Sequence, residues 1–140
     1  MEIGVADPND NYYKINCVNK ECCDPYIQEG EMVDSGMYLS KETLNNFLTY
    51  HMTSDEMFEQ MEKNKTYDII FIDGFHEKNQ VMRDIKNSMN HLSTNGVIIC
   101  HDNLPSSEIT SRPIRETLEW YGDVWKATYS LIKNNPTLNI

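Results

Sequence analysis

Acidic and amide side chains stand at the ends of two short apolar runs, and their types suggest metal chemistry. Asp73 ends the first run in YDIIFIDGFH, and Asp102 and Asn103 end the second in GVIICHDN. If the runs form neighbouring parallel strands, their carboxyl ends open into one crevice. Two carboxylates and an amide oxygen suit Mg²⁺, with Ca²⁺ or Mn²⁺ as substitutes. The sequence therefore predicts a metal site here, and helix caps are the alternative role for these residues.

Two histidines accompany these acids along the chain. His76 lies three residues after Asp73, and His101 directly precedes Asp102. A histidine titrates near neutral pH, so it can accept the proton of a hydroxyl group. We consider His76 and His101 competing candidates for a general base, and His101 is also a candidate for orienting the carboxylates. For each histidine, a rim position without a chemical role is the alternative.

Along the chain, short apolar runs typical of strands alternate with segments whose apolar residues have helical spacing. Residues 67–72 and 97–100 are short β-branched runs, which is typical of parallel strands that helices cover on both faces. Residues 2–5, 21–23 and 48–52 are expected to be further short strands. The predicted fold class is therefore α/β, with an open, mostly parallel sheet of about five strands flanked by helices.

Helices are predicted between these strands. Thr53 and Glu56 form a capping box that opens one helix. A second helix has apolar residues at helical spacing and is expected to stop at Asn95-Gly96. The last helix is predicted to begin at Pro113, and residues 26–40 are expected to form a mobile loop. The residues expected to face inward from the second helix are Val81, Ile85, Met89 and Leu92.

Length and charge exclude several classes of protein. The 140 residues suffice for one domain with a core. A net charge of −10 would repel nucleic acid. No apolar stretch approaches the roughly 20 residues that span a membrane, so we expect a soluble, cytoplasmic protein without a membrane or nucleic-acid partner. The four cysteines form no C-x-x-C pair and are expected to be reduced thiols.

A series of motifs runs in order along almost the whole chain. It reads EIGV (2–5), CCDP (22–25), MTSDEMF (52–58), YDIIFIDGFHEKNQVMRDI (67–85), NGVIICHDNLP (95–105) and GDVWKA (122–127). The series resembles the class I S-adenosylmethionine-dependent methyltransferases, and within them the small O-methyltransferases that often act on sugars. The combination of DG-x-H with HDN-x-P is its most specific part. The resemblance implies a Rossmann-like fold.

The resemblance also implies positions for S-adenosylmethionine. The acid and glycine of the first strand, Glu2 and Gly4, would lie under the methionine end of the cofactor. Asp24 would accept hydrogen bonds from the ribose hydroxyls. Ser54 and Asp55, after the third strand, would border the adenine.

A further similarity, to the catechol-type O-methyltransferases, bears on the metal. In those enzymes an Asp after the fourth strand and an Asp-Asn pair after the fifth bind magnesium, so Asp73, Asp102 and Asn103 would be the ligands. Asp73 would also border the cofactor. His76 stands where those enzymes place a catalytic lysine. The implied activity is methyl transfer to a hydroxyl of a small acceptor, a sugar or a glycan.

The chain departs from the family pattern in two respects. Asp7 and Pro8 follow Gly4 where the family keeps small residues, and Pro8 stiffens a turn that must approach the cofactor closely. Residues 1–140 are expected to be a single domain truncated at both ends, without the last two strands of the family. The exposed edge strand predicts a homodimer or a longer parent chain. A catalytically silent domain that serves binding or assembly is the alternative function.

Overall fold

One parallel sheet organises the computed structural model of this chain, which describes residues 1–138. Its spatial order is β2-β1-β3-β4, and each of the neighbouring pairs is parallel. With helices between the strands, this architecture confirms the predicted Rossmann-like α/β fold. The strands are β1 (Glu2–Ile3), β2 (Cys22–Cys23), β3 (Tyr67–Ile72) and β4 (Leu92–Cys100).

The described residues contain four strands, not the five that the sequence suggested. Of the predicted strand 48–52, only Tyr50 pairs in the sheet, through a single parallel bridge to Cys23. The Tyr50 N–H donates to the carbonyl of Cys22, and the Asp24 N–H donates to that of Tyr50. The segment then turns away because Thr53 caps the next helix. It therefore lies where a fifth strand would stand beside β2 but is too short to form one.

Four α-helices and one short 3₁₀ turn, Ile109–Ser111, are the other regular elements of the described chain. Thr53 and Glu56 form the predicted capping box, in which each side chain accepts a backbone N–H of the other residue. Ser40 caps a further helix that the sequence did not predict. The helices are α1 (Lys41–Phe47), α2 (Ser54–Gln60), α3 (Lys78–Asn90) and α4 (Val124–Asn134).

The boundary between α3 and β4 differs from the prediction. Helix α3 ends at Asn90, and Leu92 already pairs with Tyr67 of β3. Asn95-Gly96, the predicted helix stop, lies inside β4. The ladder shifts its register after the Leu92 pair, which is how this glycine-containing stretch fits into a strand. The prediction was wrong because Asn95-Gly96 has the pattern of a helix stop, whereas pairing with β3 on both sides of it keeps this stretch within a strand.

The last helix begins later than predicted. Helix α4 starts at Val124, and Pro113 lies in an irregular segment before it. Ile114 and Leu118, the apolar residues of that segment, are 76% and 93% exposed, so no core favours a helix there. Gly122 has a φ of +61°, which a right-handed helix cannot include. The helix therefore begins only at Val124, the first of its residues that packs in the core.

The two faces of the sheet differ in their cover. On one face Ile3, Ile70 and Ile72 form a core with side chains of α2, α3 and α4. On the other face Cys22 packs in a second cluster with Phe47 of α1 and with Leu39 of the long loop. The β3–β4 half of that second face is open, in contrast to the cover expected on both faces. Its apolar side chains Ile69, Val97 and Ile99 are about half exposed.

The remaining expectations concern the edge of the sheet and the long loop. Strand β4 pairs with β3 alone among the described residues, so its outer edge is free as expected. Residues 26–40 form turns and one short bridge, and Ile27 and Leu39 from this loop are buried. The loop is therefore confirmed, while its mobility stays a prediction. Between residues 1 and 138 no helix is long and apolar enough to cross a membrane.

Candidate active site

The ends of β3 and β4 lie side by side and bring acids and histidines together. Ile72, the last residue of β3, pairs with Cys100, the last residue of β4. Asp73 follows directly, and the His101 N–H donates to the carbonyl of Ile72 over 2.9 Å. His76 reaches the same place from the turn before α3. The predicted convergence of the two strand ends is therefore what the structure shows.

Both imidazoles bridge both carboxylates. His76 Nε2 lies 3.0 Å from Asp102 Oδ2 and 3.6 Å from Asp73 Oδ1. His101 Nδ1 lies 3.1 Å from Asp102 Oδ1 and 3.4 Å from Asp73 Oδ1. The Asp102 side chain is only 9% exposed, so its charge interacts mainly with these rings rather than with solvent. The four side chains form one cluster, called the rim cluster below.

The second nitrogen of His76 is also engaged. His76 Nδ1 lies 3.1 Å from the carbonyl oxygen of Trp120, and the two rings stack with centroids 5.1 Å apart. Because a carbonyl oxygen only accepts, Nδ1 carries the hydrogen and Nε2 faces the acids. Gly122 has a positive φ, and a Cβ there would overlap the backbone of His76. Gly122 is the glycine of the GDVWKA motif, but the sequence pattern indicated no role for Gly122 or for Trp120.

His101 has a free nitrogen where His76 has none. Its side chain is 57% exposed, and only Nδ1 faces the carboxylates. Within residues 1–138, Nε2 of His101 has no hydrogen-bond partner. A carboxylate that holds Nδ1–H leaves the Nε2 lone pair available for a proton, as in an Asp-His dyad. This geometry suits a general base better than that of His76.

The charges of the rim cluster shift its proton affinities. Burial alone would lower the pKa of His76, but the hydrogen bonds from its ring to Asp102 and Asp73 raise it to about 9. Burial would raise the pKa of Asp102, but His76 and His101 hold it below its ordinary value. His76 is therefore positively charged at neutral pH in the metal-free protein. A protonated ring cannot accept a proton.

Asn103, the third predicted metal ligand, makes other contacts. Its Nδ2 donates to the carbonyl oxygens of Cys100 and His101, over 2.6 and 3.1 Å. Its Oδ1 accepts from the Thr128 hydroxyl of α4 at 2.6 Å. Asn103 therefore fastens the rim to α4, and its role as a ligand stays a prediction.

Three side chains present ligand atoms in a metal-binding arrangement. One atom each from Asp73, His76 and Asp102 lies within 4.8 Å of the other two. Two carboxylate oxygens and one imidazole nitrogen are donors that divalent cations accept in proteins. The residues present therefore fit a divalent cation, with His76 in the place that the sequence gave to Asn103.

The first strand, β1, carries a buried acid that was a predicted cofactor contact. Glu2 is 6% exposed, and its Oε2 has no hydrogen-bond partner in the described part of the chain. Burial raises the pKa of this carboxyl to about 7. Gly4 follows with a φ of +87°, and a Cβ there would overlap the carbonyl of Asp73. Only glycine therefore lets the end of β1 approach the end of β3 this closely.

Asp24, the predicted ribose acceptor, is already hydrogen-bonded within the protein. Its Oδ2 accepts the Val5 N–H at 2.8 Å, and its Oδ1 accepts those of Tyr26 and Ile27 at 2.7 and 3.1 Å. A carboxylate offers about four lone-pair sites. Two ribose hydroxyls therefore cannot both bind Asp24 unless at least one backbone partner is released.

Asp7 and Pro8 have structural contacts in the loop after β1. Asp7 is 4% exposed and accepts the backbone N–H of Asn9 at 2.9 Å and that of Ser35 at 2.6 Å. Pro8 is fully buried beside it. Asp7 thus fastens the loop after β1 to the long loop 26–40.

Ser54 and Asp55, the predicted adenine neighbours, connect α2 to α3. The Ser54 hydroxyl donates to Asp84 Oδ1 at 2.7 Å, and Asp55 pairs with Arg83 at 3.3 Å. Gln80 bonds to both residues. The buried Asp84 was not anticipated, although it lies on the inward side of the predicted helix. Contact of Ser54 and Asp55 with adenine stays a prediction.

A comparison with protein families gives a match that covers this site. Residues 7–103 match a family model described as a methyltransferase domain. The matched range contains Asp24 and the whole rim cluster. Comparisons with curated proteins and with solved structures find no match. Because the matched residues make up more than half of the chain, this chain belongs to the methyltransferase-domain family.

Proposed function

We propose that this domain transfers a methyl group from S-adenosylmethionine to a hydroxyl of a small acceptor, a sugar or a glycan. The observation that carries the proposal is the rim cluster, in which His101 keeps a free Nε2 at the carboxyl ends of two strands of a methyltransferase domain. Acidic and basic groups at this edge suit proton transfer from a hydroxyl. The choice of a sugar rests on the resemblance of the DG-x-H and HDN-x-P motifs.

His101 is the base in this proposal. S-adenosylmethionine, when bound, supplies a methyl group on a positively charged sulfur. The acceptor oxygen forms the new O–C bond while the C–S bond breaks, and the sulfur keeps the electron pair. The hydroxyl proton passes to Nε2 of His101, because the carboxylates of Asp73 and Asp102 orient its Nδ1. Both nitrogens of His76 are engaged, one with the Trp120 carbonyl and the other with the acids, so His76 does not serve as the base.

The acids of the rim cluster would hold a divalent cation. Asp73 and Asp102 stand where the resemblance places magnesium ligands, and their oxygens lie around one point with His76 Nε2. A bound cation there supplies positive charge that lowers the pKa of the acceptor hydroxyl.

Glu2 supports a site for the methionine end of the cofactor. Its Oε2 is a buried acceptor that lacks a donor among residues 1–138, and such an atom is costly unless a partner binds. The ammonium group of S-adenosylmethionine is a donor of the missing kind. Gly4 keeps the adjacent backbone free of a side chain.

A catalytically silent binding or assembly domain is the second candidate. It is favoured by Asp24, whose oxygens already accept three backbone N–H groups, and by Asp7, which fastens two loops together. In such a domain these contacts would replace the cofactor. The open β3–β4 face would then be the functional surface.

Titration calorimetry with S-adenosylmethionine separates the two candidates. If the domain is an enzyme, binding should weaken at least tenfold in Asp24→Ala and stay unchanged in Asp68→Ala, because Asp68 is an exposed carboxylate near the start of β3, away from the strand end that Asp73 follows. Binding should be followed by transfer of labelled methyl to a panel of sugars and glycans. No heat at millimolar cofactor, with and without Mg²⁺, would contradict the enzyme and favour the silent domain.

A further inference from the structure

We infer that His76 is a metal ligand, so that the rim cluster is a centre of two carboxylates and one imidazole that prefers Mn²⁺, Co²⁺ or Zn²⁺ to Mg²⁺. The inference deepens the proposed function, because it names the ion of the same site. It assigns His76 a role that the sequence had given to Asn103, and it leaves His101 as the base.

The positions of the donor atoms carry the first step. His76 Nε2 lies 3.0 Å from Asp102 Oδ2 and 3.6 Å from Asp73 Oδ1. Ligands that bind one ion at about 2.1 Å stand about 3 Å apart when they are adjacent in its coordination shell. Each of the two oxygens therefore lies about as far from Nε2 as a neighbouring ligand of the same ion would, and one ligand atom from each of the three residues lies within 4.8 Å of the other two. No side chain has to rotate to bring these three atoms together.

The far side of His76 carries the second step. Ligating histidines usually donate their other N–H to a carbonyl or a carboxylate, which fixes the tautomer and the ring plane. His76 Nδ1 does this with the Trp120 carbonyl, and the Trp120 ring stacks on the imidazole. Gly122 lets the chain return close enough to make this contact. These contacts involve neither carboxylate, so they are independent of the acidic pair.

The chemistry of the donors carries the third step. Imidazole nitrogen is a good ligand for Zn²⁺ and Co²⁺, and Mn²⁺ accepts it beside carboxylates, whereas Mg²⁺ prefers a set of oxygen ligands. The amide oxygen that would complete an oxygen set belongs to Asn103, which accepts from Thr128 instead. One nitrogen and two carboxylates therefore shift the preference of the site away from Mg²⁺.

Copper EPR and calorimetry test the inference without any measurement of activity. Cu²⁺ serves as the spectroscopic probe because it resolves coupling to a ligated nitrogen. We expect one coupled ¹⁴N in the wild-type protein, its loss in His76→Gln, and its retention in His101→Gln and in the control His51→Gln. Calorimetry should show Co²⁺ and Mn²⁺ binding at least tenfold more tightly than Mg²⁺.

Several results would overturn the inference. They are a nitrogen signal lost in His101→Gln but kept in His76→Gln, equal affinity for Mg²⁺ and Co²⁺, or no metal binding, which would leave His76 as a charge partner of the acids only. If His76→Gln does not fold, the nitrogen signal of His101→Gln and the calorimetric comparison of Co²⁺ with Mg²⁺ still decide. Both titrations are made without S-adenosylmethionine, so a failure of cofactor binding is distinguished from a failure of the metal site.

Discussion

His76 Nε2 and Asp102 Oδ2 lie 3.0 Å apart, although all of α3 and β4 separates the two residues along the chain. The contact joins the turn after β3 to the turn after β4. Asp102 reaches it with a φ of +59°, a left-handed conformation that aspartate tolerates better than most residues. Because this contact and the Trp120 carbonyl use both nitrogens of His76, we propose His101 for the proton-accepting role.

Replacement of His101 should slow methyl transfer without weakening cofactor binding. We expect His101→Gln to lower the rate constant for transfer about 100-fold, the usual contribution of a positioned base. The dissociation constant of S-adenosylmethionine should change less than twofold, since His101 is expected to face the acceptor. Single-turnover kinetics with calorimetry measure both quantities, and His51→Gln is the control. An unchanged rate constant would show that another group takes the proton.

The His76 interaction should make the stability of the metal-free protein depend on pH. Its pKa rises from the ordinary 6.5 to about 9 on folding, so its stabilising effect is complete below pH 6.5 and is lost as the pH rises through 9. At pH 6 we expect His76→Gln to lower the free energy of unfolding by about 2 kcal/mol, given partial solvent screening. Urea unfolding in the presence of a chelator should show this deficit shrinking by pH 10. A deficit that is constant with pH would contradict the assignment.

Glu2 should lower the stability of the protein as the pH rises from about 4.5 through 7, and the protein should remain less stable above pH 7. Burial raises its pKa to about 7, so the neutral carboxyl is favoured on folding, and that advantage is present below pH 4.5 and lost as the pH rises through 7. Glu2→Gln is neutral at every pH, and we expect it to exceed the wild type by about 2 kcal/mol at pH 8.5 but not at pH 4.5. Thermal and urea unfolding measure the difference. Glu59→Gln, on the exposed side of α2, should show no such crossover.

Two glycines with positive φ form a matched pair for testing how the His76 turn is supported. A Cβ at Gly122 would overlap the backbone of His76, whereas a Cβ at Gly36 meets nothing within 4 Å. Both alanine variants bear the backbone cost of about 1 kcal/mol. Gly122→Ala should lose at least about 2 kcal/mol more in urea unfolding, and it should also weaken Co²⁺ binding. Equal losses in the two variants would show that the close approach to His76 is unimportant.

The free edge of β4 should support self-association. Unpaired backbone groups lie along this edge, and the half-exposed side chains of Val97 and Ile99 lie on the adjoining open face of the sheet with Ile69 of β3. We expect light scattering to show a dimer at high protein concentration, and Ile99→Lys to shift it to monomer. Leu118→Lys, at an exposed position in the segment before α4, is the control. A strictly monomeric wild type would contradict this expectation.

Local patterns in the sequence predicted much of the fold because they depend on neighbouring residues. The β-branched run of β3 and the capping box at Thr53 needed only a few adjacent positions to be recognised. The convergence of Asp73 with Asp102 followed from the parallel pairing of two such runs. The local pattern also predicted that α4 starts at Pro113, which was wrong. The sequence does not show that Ile114 and Leu118 remain exposed, without a core to pack against.

The sequence by itself therefore determined the alternation of strands and helices, the strand ends that carry the acids, and the set of candidate histidines. Only the tertiary structure showed how those histidines differ in their contacts, because Trp120, a residue from a distant segment, accepts the Nδ1–H of His76. It also showed Asp24 bonded to backbone groups and half of one sheet face left open. Hydrogen-bond saturation and burial are set by contacts between distant segments, and no local pattern in the chain encodes them.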